Sequence, residues 1–332
     1  MNGLKAHQRE LINLSRRCIP LLKPELYKGQ CGKICVVGGC EEYTGAPYFS
    51  AHAASTFGSD LVYVLCERKA GLPIKAYSPN LMVHPYLVDS YSATREPKEE
   101  PDFEKILGVV QRCHVLVIGP GLGRDKKIRE QVIQIVQEAA SIGGDHNRCL
   151  ILDADALFVL STEDSEKFQE ALKKYGENRV IITPNAVELK RIMKALNVDT
   201  VEEVSKTLGC ITVAKGHHDI IINSKGKRWE NDVEGSMKRC GGQGDTLTGV
   251  IASMLGFSRA VHDWKLQPLS VPGKESVLPW DQMAMLSCYV GSTATKMASK
   301  AAYEKVGRQM QTTDMNYIVG EIFEKLYDTE GE

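Results

Sequence analysis

A chain of 332 residues with 43% hydrophobic and 25% charged residues has enough apolar side chains to bury a sizeable core. Its formal net charge of -1 excludes a general electrostatic attraction to nucleic acid or to an anionic membrane surface. Anionic partners must therefore be small and met by local donors.

The ten cysteines are scattered, and several, such as Cys35, Cys66 and Cys149, lie within apolar runs. That is the pattern of buried thiols in a reduced compartment rather than of a disulfide framework. Cys31, Cys35 and Cys40 form no CxxC pair, and His52 lies too far along to complete a zinc pattern. No apolar run approaches the roughly 20 residues of a membrane helix. The expected location is the cytoplasm, with a mitochondrial copy left open because the basic residues near the start resemble a weak presequence.

In chain order, residues 1–28 read as a polar helical lead-in ending near Pro20 and Pro24. Lys33 to Gly39 (KICVVGG) predicts a buried strand closed by glycines, and Ala51 to Phe57 a helix of small residues packed tightly on a sheet. Further strands are predicted at Leu61–Cys66, Leu81–Pro85 and His114–Gly119, then at Cys149–Asp153, Val180–Thr183 and Cys210–Lys215, with Asp219–Ile222 as an antiparallel edge. Ser90–Asp102, with Pro97 and Pro101, reads as an exposed loop, and Lys126–Ala140 as an amphipathic helix. Met283–Ala302 and Asp314–Leu326 are predicted helices, and His262–Trp280, with three prolines, an irregular insertion. Apolar strands alternating with helices predict an α/β fold, a mostly parallel sheet with helices on both faces. The absence of repeats and linkers favours one domain, 1–332, with a lead-in at 1–28 and a core at 29–327.

In such folds ligands gather beyond the C-terminal strand ends. Gly38-Gly39, Gly119 to Gly123, Asp153, Thr183 to Asn185 and Lys215-Gly216 all fall there. The stretch Cys240-Gly241-Gly242-Gln243-Gly244-Asp245 runs into an apolar helical pattern from Gly249 to Leu255. Its glycines allow close backbone approach, and a helix start offers unpaired N–H groups to a phosphate. Asp245, at that helix start, is expected to be held ionised by the dipole and to act as a cap or as a base for a substrate hydroxyl. Asn185 and Glu188, at i and i+3, can hold Mg²⁺ through its waters or simply cap a helix. Lys215 can neutralise phosphate charge, while His217 and His218 fit an exposed turn. Asp153 and Asp155 are either substrate-facing or capping groups. Gly119-Pro120-Gly121-Leu122-Gly123-Arg124 fails the dinucleotide fingerprint, because Arg124 stands where its third glycine belongs. No GxxxxGK[ST] loop is present, so phosphoryl transfer would use another architecture.

The segments KGQCGKICVVGG, YTGAPY, VIGPGLGRD, ILDADAL, ITPNAVELKR, VAKGHHDII and CGGQGDTLTG, in this order, closely resemble the ATP-dependent NAD(P)H-hydrate dehydratases, a branch of the ribokinase-like superfamily. The resemblance implies a ribokinase-like three-layer fold. It also implies repair of NADH and NADPH hydrates in their S-form, with ATP as co-substrate, Mg²⁺, and release of ADP and phosphate. By resemblance, Gly121, Asn185, Ala186, Val187 and Glu188, with Leu189, Lys190 and Arg191, line the hydrate site, and Asp245 faces the hydroxyl as the catalytic residue. Lys215, Gly216, His217, His218 and Asp219 would hold the nucleotide. So would Gly235, Ser236, Met237, Lys238 and Arg239, followed by Cys240, Gly241, Gly242, Gln243 and Gly244. The superfamily alternative is a small-molecule kinase that leaves the phosphate on its product, and a third reading is a silent nucleotide sensor. ATP against ADP as donor, preference between the two hydrates, and the oligomeric state, a homo-oligomer included, stay open.

Overall fold

The computed structural model describes residues 4–94, 100–142, 148–269 and 277–327. Among these, nine strands form one sheet: β1 (Lys33–Val37), β2 (Leu61–Glu67), β3 (Met82–Leu87), β4 (Val115–Ile118), β5 (Cys149–Leu152), β6 (Val180–Ile182), β7 (Ile211–Ala214), β8 (Asp219–Ile222) and β9 (Arg228–Asn231). Their spatial order is β3-β2-β1-β4-β5-β6-β7-β8-β9. The first seven run parallel, and β8 and β9 add an antiparallel hairpin.

Side chains alternate across each strand, so a strand of unbroken apolar residues must be covered on both sides. Ile34 and Val36 of β1 enter one core, and Cys35 and Val37 enter the other. The first core is closed by helices α1 (Ala6–Ser15) and α2 (Gly45–Thr56), together with α11 (Gln243–His262), α12 (Trp280–Val306) and α13 (Thr312–Tyr327). The second is closed chiefly by α5 (Phe103–Val110), α6 (Lys126–Ala139), α7 (Asp155–Val159), α8 (Ser165–Leu172), α9 (Ala186–Leu196) and α10 (Val201–Leu208). α3 (Arg68–Tyr77) packs on β2 and β3, and the short α4 (Ser90–Thr94) lies against α6. Helix α11 is the centre of the first layer, buried continuously from Asp245 to Val261. The small residues of α2 let it approach α11 closely: a Cβ on Gly249 would lie 2.2 Å from the Ser50 carbonyl oxygen.

Several expectations shift. The helix predicted from Ala51 begins at Gly45, despite Gly45 and Pro47, because proline is tolerated in a first helical turn. The helix predicted over Gly249–Leu255 is the middle of a 20-residue helix. Asp219–Ile222 is antiparallel as expected but is not the edge, since β9 pairs outside it. Ser90–Asp102 contains the helical turn α4, and its residues 95–99 lie outside the described residues. In the expected insertion His262–Trp280, residues 270–276 lie outside the described residues, while Leu269 N donates to the Ile19 carbonyl and Leu21 N to that of Gln267. The lead-in is thus stitched to the segment that follows α11.

Candidate active site

The glycine-rich stretch turns into α11 at Gly242, whose φ is +98° and whose side carries no cap bond. A Cβ there would meet the Phe49 ring at 2.7 Å and Thr312 Oγ1 at 2.8 Å, so only glycine fits. Thr312 Oγ1 donates to the Gly241 carbonyl at 2.5 Å, fixing the turn from α13. The first-turn N–H groups of α11 have no partner within the helix, which leaves them to an anion.

Asp245 is the third residue of α11 and only 9% exposed. Burial pushes its carboxyl up to about 8, helped by Asp153 and, more weakly, Asp155, and opposed by Lys215. The expectation of an ionised Asp245 is therefore corrected. A helix dipole is worth about 0.3–2 kcal/mol, whereas burying a carboxylate can shift its proton affinity by several pKa units. Nor is Asp245 the cap; Gly242 holds that position.

Lys215, at the end of β7, sets its ammonium 2.7 Å from Asp153 Oδ1 at the end of β5. Burial works against its charge, yet Asp153, Glu188 and Asp245 together hold its pKa above the ordinary lysine value. A Cβ on Gly244 would lie 3.3 Å from Lys215 Nζ and 3.6 Å from Asp153 Oδ2, so this pair packs directly against the α11 N-terminus. Asp153 and Asp155 flank Ala154, whose φ of +47° is strained for a residue with a Cβ. Asp155 Oδ2 accepts the Gly123 N–H at 3.0 Å, ordering the turn after β4. Asp153 thus pairs with Lys215 and Asp155 holds the Gly123 turn, while the α7 N-cap is Ala154 rather than either aspartate.

Asn185 caps α9: its Oδ1 accepts the N–H groups of Val187 and Glu188, each at 2.9 Å, and Glu188 Oε2 accepts the Asn185 N–H at 2.8 Å. This capping box uses one oxygen of each residue. Burial raises the Glu188 pKa, with Lys215 opposing and Asp153 adding to the rise, so Glu188 faces the same charged cluster. Leu189 packs on the second core, Ala186, Val187 and Lys190 are exposed, and Arg191 reaches over the Phe158 ring at 5.2 Å. Gly121 has a φ of +61°, and a Cβ on it would lie 2.7 Å from the Tyr43 carbonyl oxygen.

On the other side of Lys215 lies a cavity of about 450 Å³ lined by Asn185, Lys215, Gly216, Asp219, Arg239, Gln243 and Gly244. Its wall is completed by Leu247 and, from α12, Ser292, Thr295, Lys296 and Ser299. Asp219 Oδ1 accepts the Gly216 N–H at 2.8 Å and its Oδ2 the Ser292 hydroxyl at 2.6 Å. Lys296 Nζ donates to the His217 carbonyl at 2.6 Å. Ser236 N donates to Ser299 Oγ at 3.0 Å, and Gly235 packs on the same hydroxyl. Lys238 Nζ donates to the Arg308 carbonyl, Cys240 lies beside Thr312, and Met237 projects into solvent at 93% exposure. His217 and His218 stack in the β7–β8 turn, His218 against Glu230 at 2.8 Å, away from the cavity. The α12 residues escape a motif reading, because small polar residues in a long helix carry no local signature.

A sequence profile described as NAD(P)H-hydrate dehydratase matches residues 34–318. The chain belongs to this family. It is 46% identical to the ATP-dependent (S)-NAD(P)H-hydrate dehydratase of Saccharomyces cerevisiae, covering 96% of this chain and 98% of that protein. The enzyme of the same description from Schizosaccharomyces pombe is 34% identical, covering 96% and 94%. Among solved structures, a ribokinase-like superfamily protein from Enterococcus faecalis matches with a TM-score of 0.68 at 20% identity, covering 98% and 99% of the two chains. The ADP/ATP-dependent NAD(P)H-hydrate dehydratase of Bacillus subtilis, co-crystallised with ATP/Mg²⁺, matches at 0.65 and 18%, covering 95% and 97%. The fold of this family member is therefore ribokinase-like, as the resemblance implied. The dehydratase reading stands, and the kinase and sensor alternatives give way to it.

Proposed function

We propose that this dehydratase acts on the S-form of NADH and NADPH hydrates by moving the γ-phosphoryl group of ATP to the C6 hydroxyl. The ring nitrogen then expels phosphate. ATP and hydrate give ADP, phosphate and the reduced cofactor. Water is a poor leaving group, and the phosphate ester replaces it.

One observation carries the assignment of roles. Asp245 is a buried carboxyl at an open helix N-terminus, with the Lys215–Asp153 pair beside it and the cavity ending at Gly244. Asp245, in its ionised form, takes the hydroxyl proton as oxygen attacks phosphorus. The N–H groups of the α11 first turn and Lys215 receive the transferred phosphoryl oxygens. The nucleotide occupies the cavity between Lys215–Asp219, Gly235–Gly244 and α12, and the hydrate lies along Gly121 and Asn185–Arg191.

Mg²⁺, when bound, neutralises phosphate charge. The donor set fits it: Glu188 keeps an oxygen outside its capping bond, and Asn185 stands at the cavity wall. No group of three or more metal-ligating side chains occurs among the described residues, which suits an ion held largely by water and phosphates. No helix among the described residues is long and apolar enough to cross a membrane. Nine of the ten cysteines are buried as free thiols, which fits a reducing compartment such as the cytoplasm.

The test is direct. Purified protein with Mg²⁺, ATP and hydrated NADH or NADPH should yield ADP, phosphate and the ultraviolet absorbance of the reduced cofactor in equal amounts. ADP without recovery of that absorbance would overturn the proposal.

A further inference from the structure

The half-buried Phe158 ring of α7 is stacked by two cations. The guanidinium carbon of Arg124 is 4.5 Å from its centroid and that of Arg191 is 5.2 Å away. The two charges are thus within about 10 Å of each other, close enough for one diphosphate to meet both. Within the protein, Glu188 acts electrostatically on Arg191 and Asp155 on Arg124. Asp155 Oδ1 stands 3.7 Å from Arg124 Nε, and its other oxygen is engaged by the Gly123 N–H. Arg191 Nε is buried with no hydrogen-bond partner among the described residues. The Arg124 side chain is 61% exposed and free to meet a ligand.

Position gives the ligand its identity. Arg124 directly follows Gly121-Leu122-Gly123, and Arg191 ends the Asn185–Arg191 segment, so both border the side assigned above to the hydrate. Neither lines the cavity assigned to ATP. A hydrated dihydronicotinamide ring is neutral, and the charge common to both hydrates is their diphosphate. With a formal net charge of -1, the protein as a whole offers that diphosphate no attraction, so local cations must supply it. Planar guanidinium groups stacked on an aromatic face are rigid, bidentate hydrogen-bond donors to phosphate oxygens, which lysine is not.

We propose that Arg124 and Arg191, braced on Phe158, form a clamp for the diphosphate of the dinucleotide hydrate. This rests on the reaction proposed above and adds Arg124 and Phe158 as specificity-determining residues. Arg124→Gln is the sharpest test, because the side chain is exposed and its removal leaves the core intact. Losing a charge-assisted contact should raise KM about tenfold or more for both hydrates, with kcat and the KM for ATP within twofold of wild type. Arg124→Lys should recover only part of the loss. Hydrate titration without ATP should show the same weakening, and added salt should narrow the gap between wild type and Arg124→Gln.

An unchanged hydrate KM, or an equal rise in the KM for ATP, would overturn the clamp. An effect confined to the NADPH hydrate would also overturn it, assigning the arginines to the 2′-phosphate instead. The wild type in the same assay separates the two proposals. If it turns over hydrate while Arg124→Gln matches it, the clamp alone fails. If it neither binds nor turns over hydrate, the reaction and the clamp fall together.

Discussion

The two halves of the cleft are built by different means. On the side proposed for the nucleotide, the β7–β8 turn, the segment before α11 and one face of α12 surround an open cavity whose shape is set by side chains such as Asp219, Ser292, Lys296 and Ser299. On the side proposed for the hydrate, main chain meets main chain. A Cβ would lie 2.1 Å from the Pro120 carbonyl oxygen if placed on Gly38, 1.7 Å from that of Asp153 on Gly119, and 2.7 Å from that of Tyr43 on Gly121. A site defined by side chains loses its contacts one at a time, whereas one defined by backbone contact has no room for even a methyl group. Asp245 and Lys215 stand where the halves meet.

The largest expected effect is at that junction and should spare both halves. Asp245→Asn keeps size and polarity but cannot take a proton, so turnover should fall about 10²- to 10⁴-fold while ATP titrates as in the wild type. Wild-type activity should rise with pH toward a plateau above about 8, where the buried carboxyl ionises. Stability should move the other way. Asp245 is protonated in the folded chain up to about 8 but has an ordinary value of 3.8 when unfolded. Its contribution is full below that lower value and is lost as pH rises through the upper one. Thermal unfolding of Asp245→Asn should therefore be less sensitive to pH across this window. A pH–rate profile flat between 6 and 9 would remove Asp245 as the base.

Next in size, Gly121→Ala should separate the halves. The forced positive φ and the Tyr43 clash should cost on the order of 1–3 kcal/mol. If the hydrate side is limited by backbone fit, kcat/KM for the hydrate should drop about tenfold or more while nucleotide affinity holds; equal losses in both would contradict the comparison.

The smallest effect is expected at Glu188. Glu188→Gln retains an acceptor for the Asn185 N–H, so α9 should stay capped. The Mg²⁺ concentration for half-maximal rate should rise a few-fold, with little change in hydrate KM. An unchanged Mg²⁺ dependence would leave Glu188 only its capping role.

Strands β1, β4, β5, β6 and β7 were legible because each is a short apolar run, and the order of glycine-bearing strand ends located the cleft. β9 was not, since its burial alternates but one of its two inward residues, Asn231, is polar, so Arg-Trp-Glu-Asn carries no apolar alternation. The Asn185–Glu188 spacing was legible as a cap, and the structure shows that cap; its role toward Mg²⁺ is part of the proposal. The proton on Asp245 was not legible, because local sequence reports the helix start but not the depth at which tertiary packing buries it. The α12 wall of the cavity was invisible for a similar reason. Ser292 and Ser299 lie 73 and 63 positions from their partners Asp219 and Ser236.

Continuous burial of α11 from Asp245 to Val261 has a kinetic consequence. Amide protons in that stretch can meet solvent only when the first core comes apart, so their hydrogen exchange should follow global unfolding rather than local fraying. The reactive carboxyl thus sits at the head of the part of the molecule least able to open. Any breathing that admits or releases ligands must occur in its surroundings, in the stretch from Gly235 to Gly241, and those amides should exchange orders of magnitude sooner than their neighbours a few residues along.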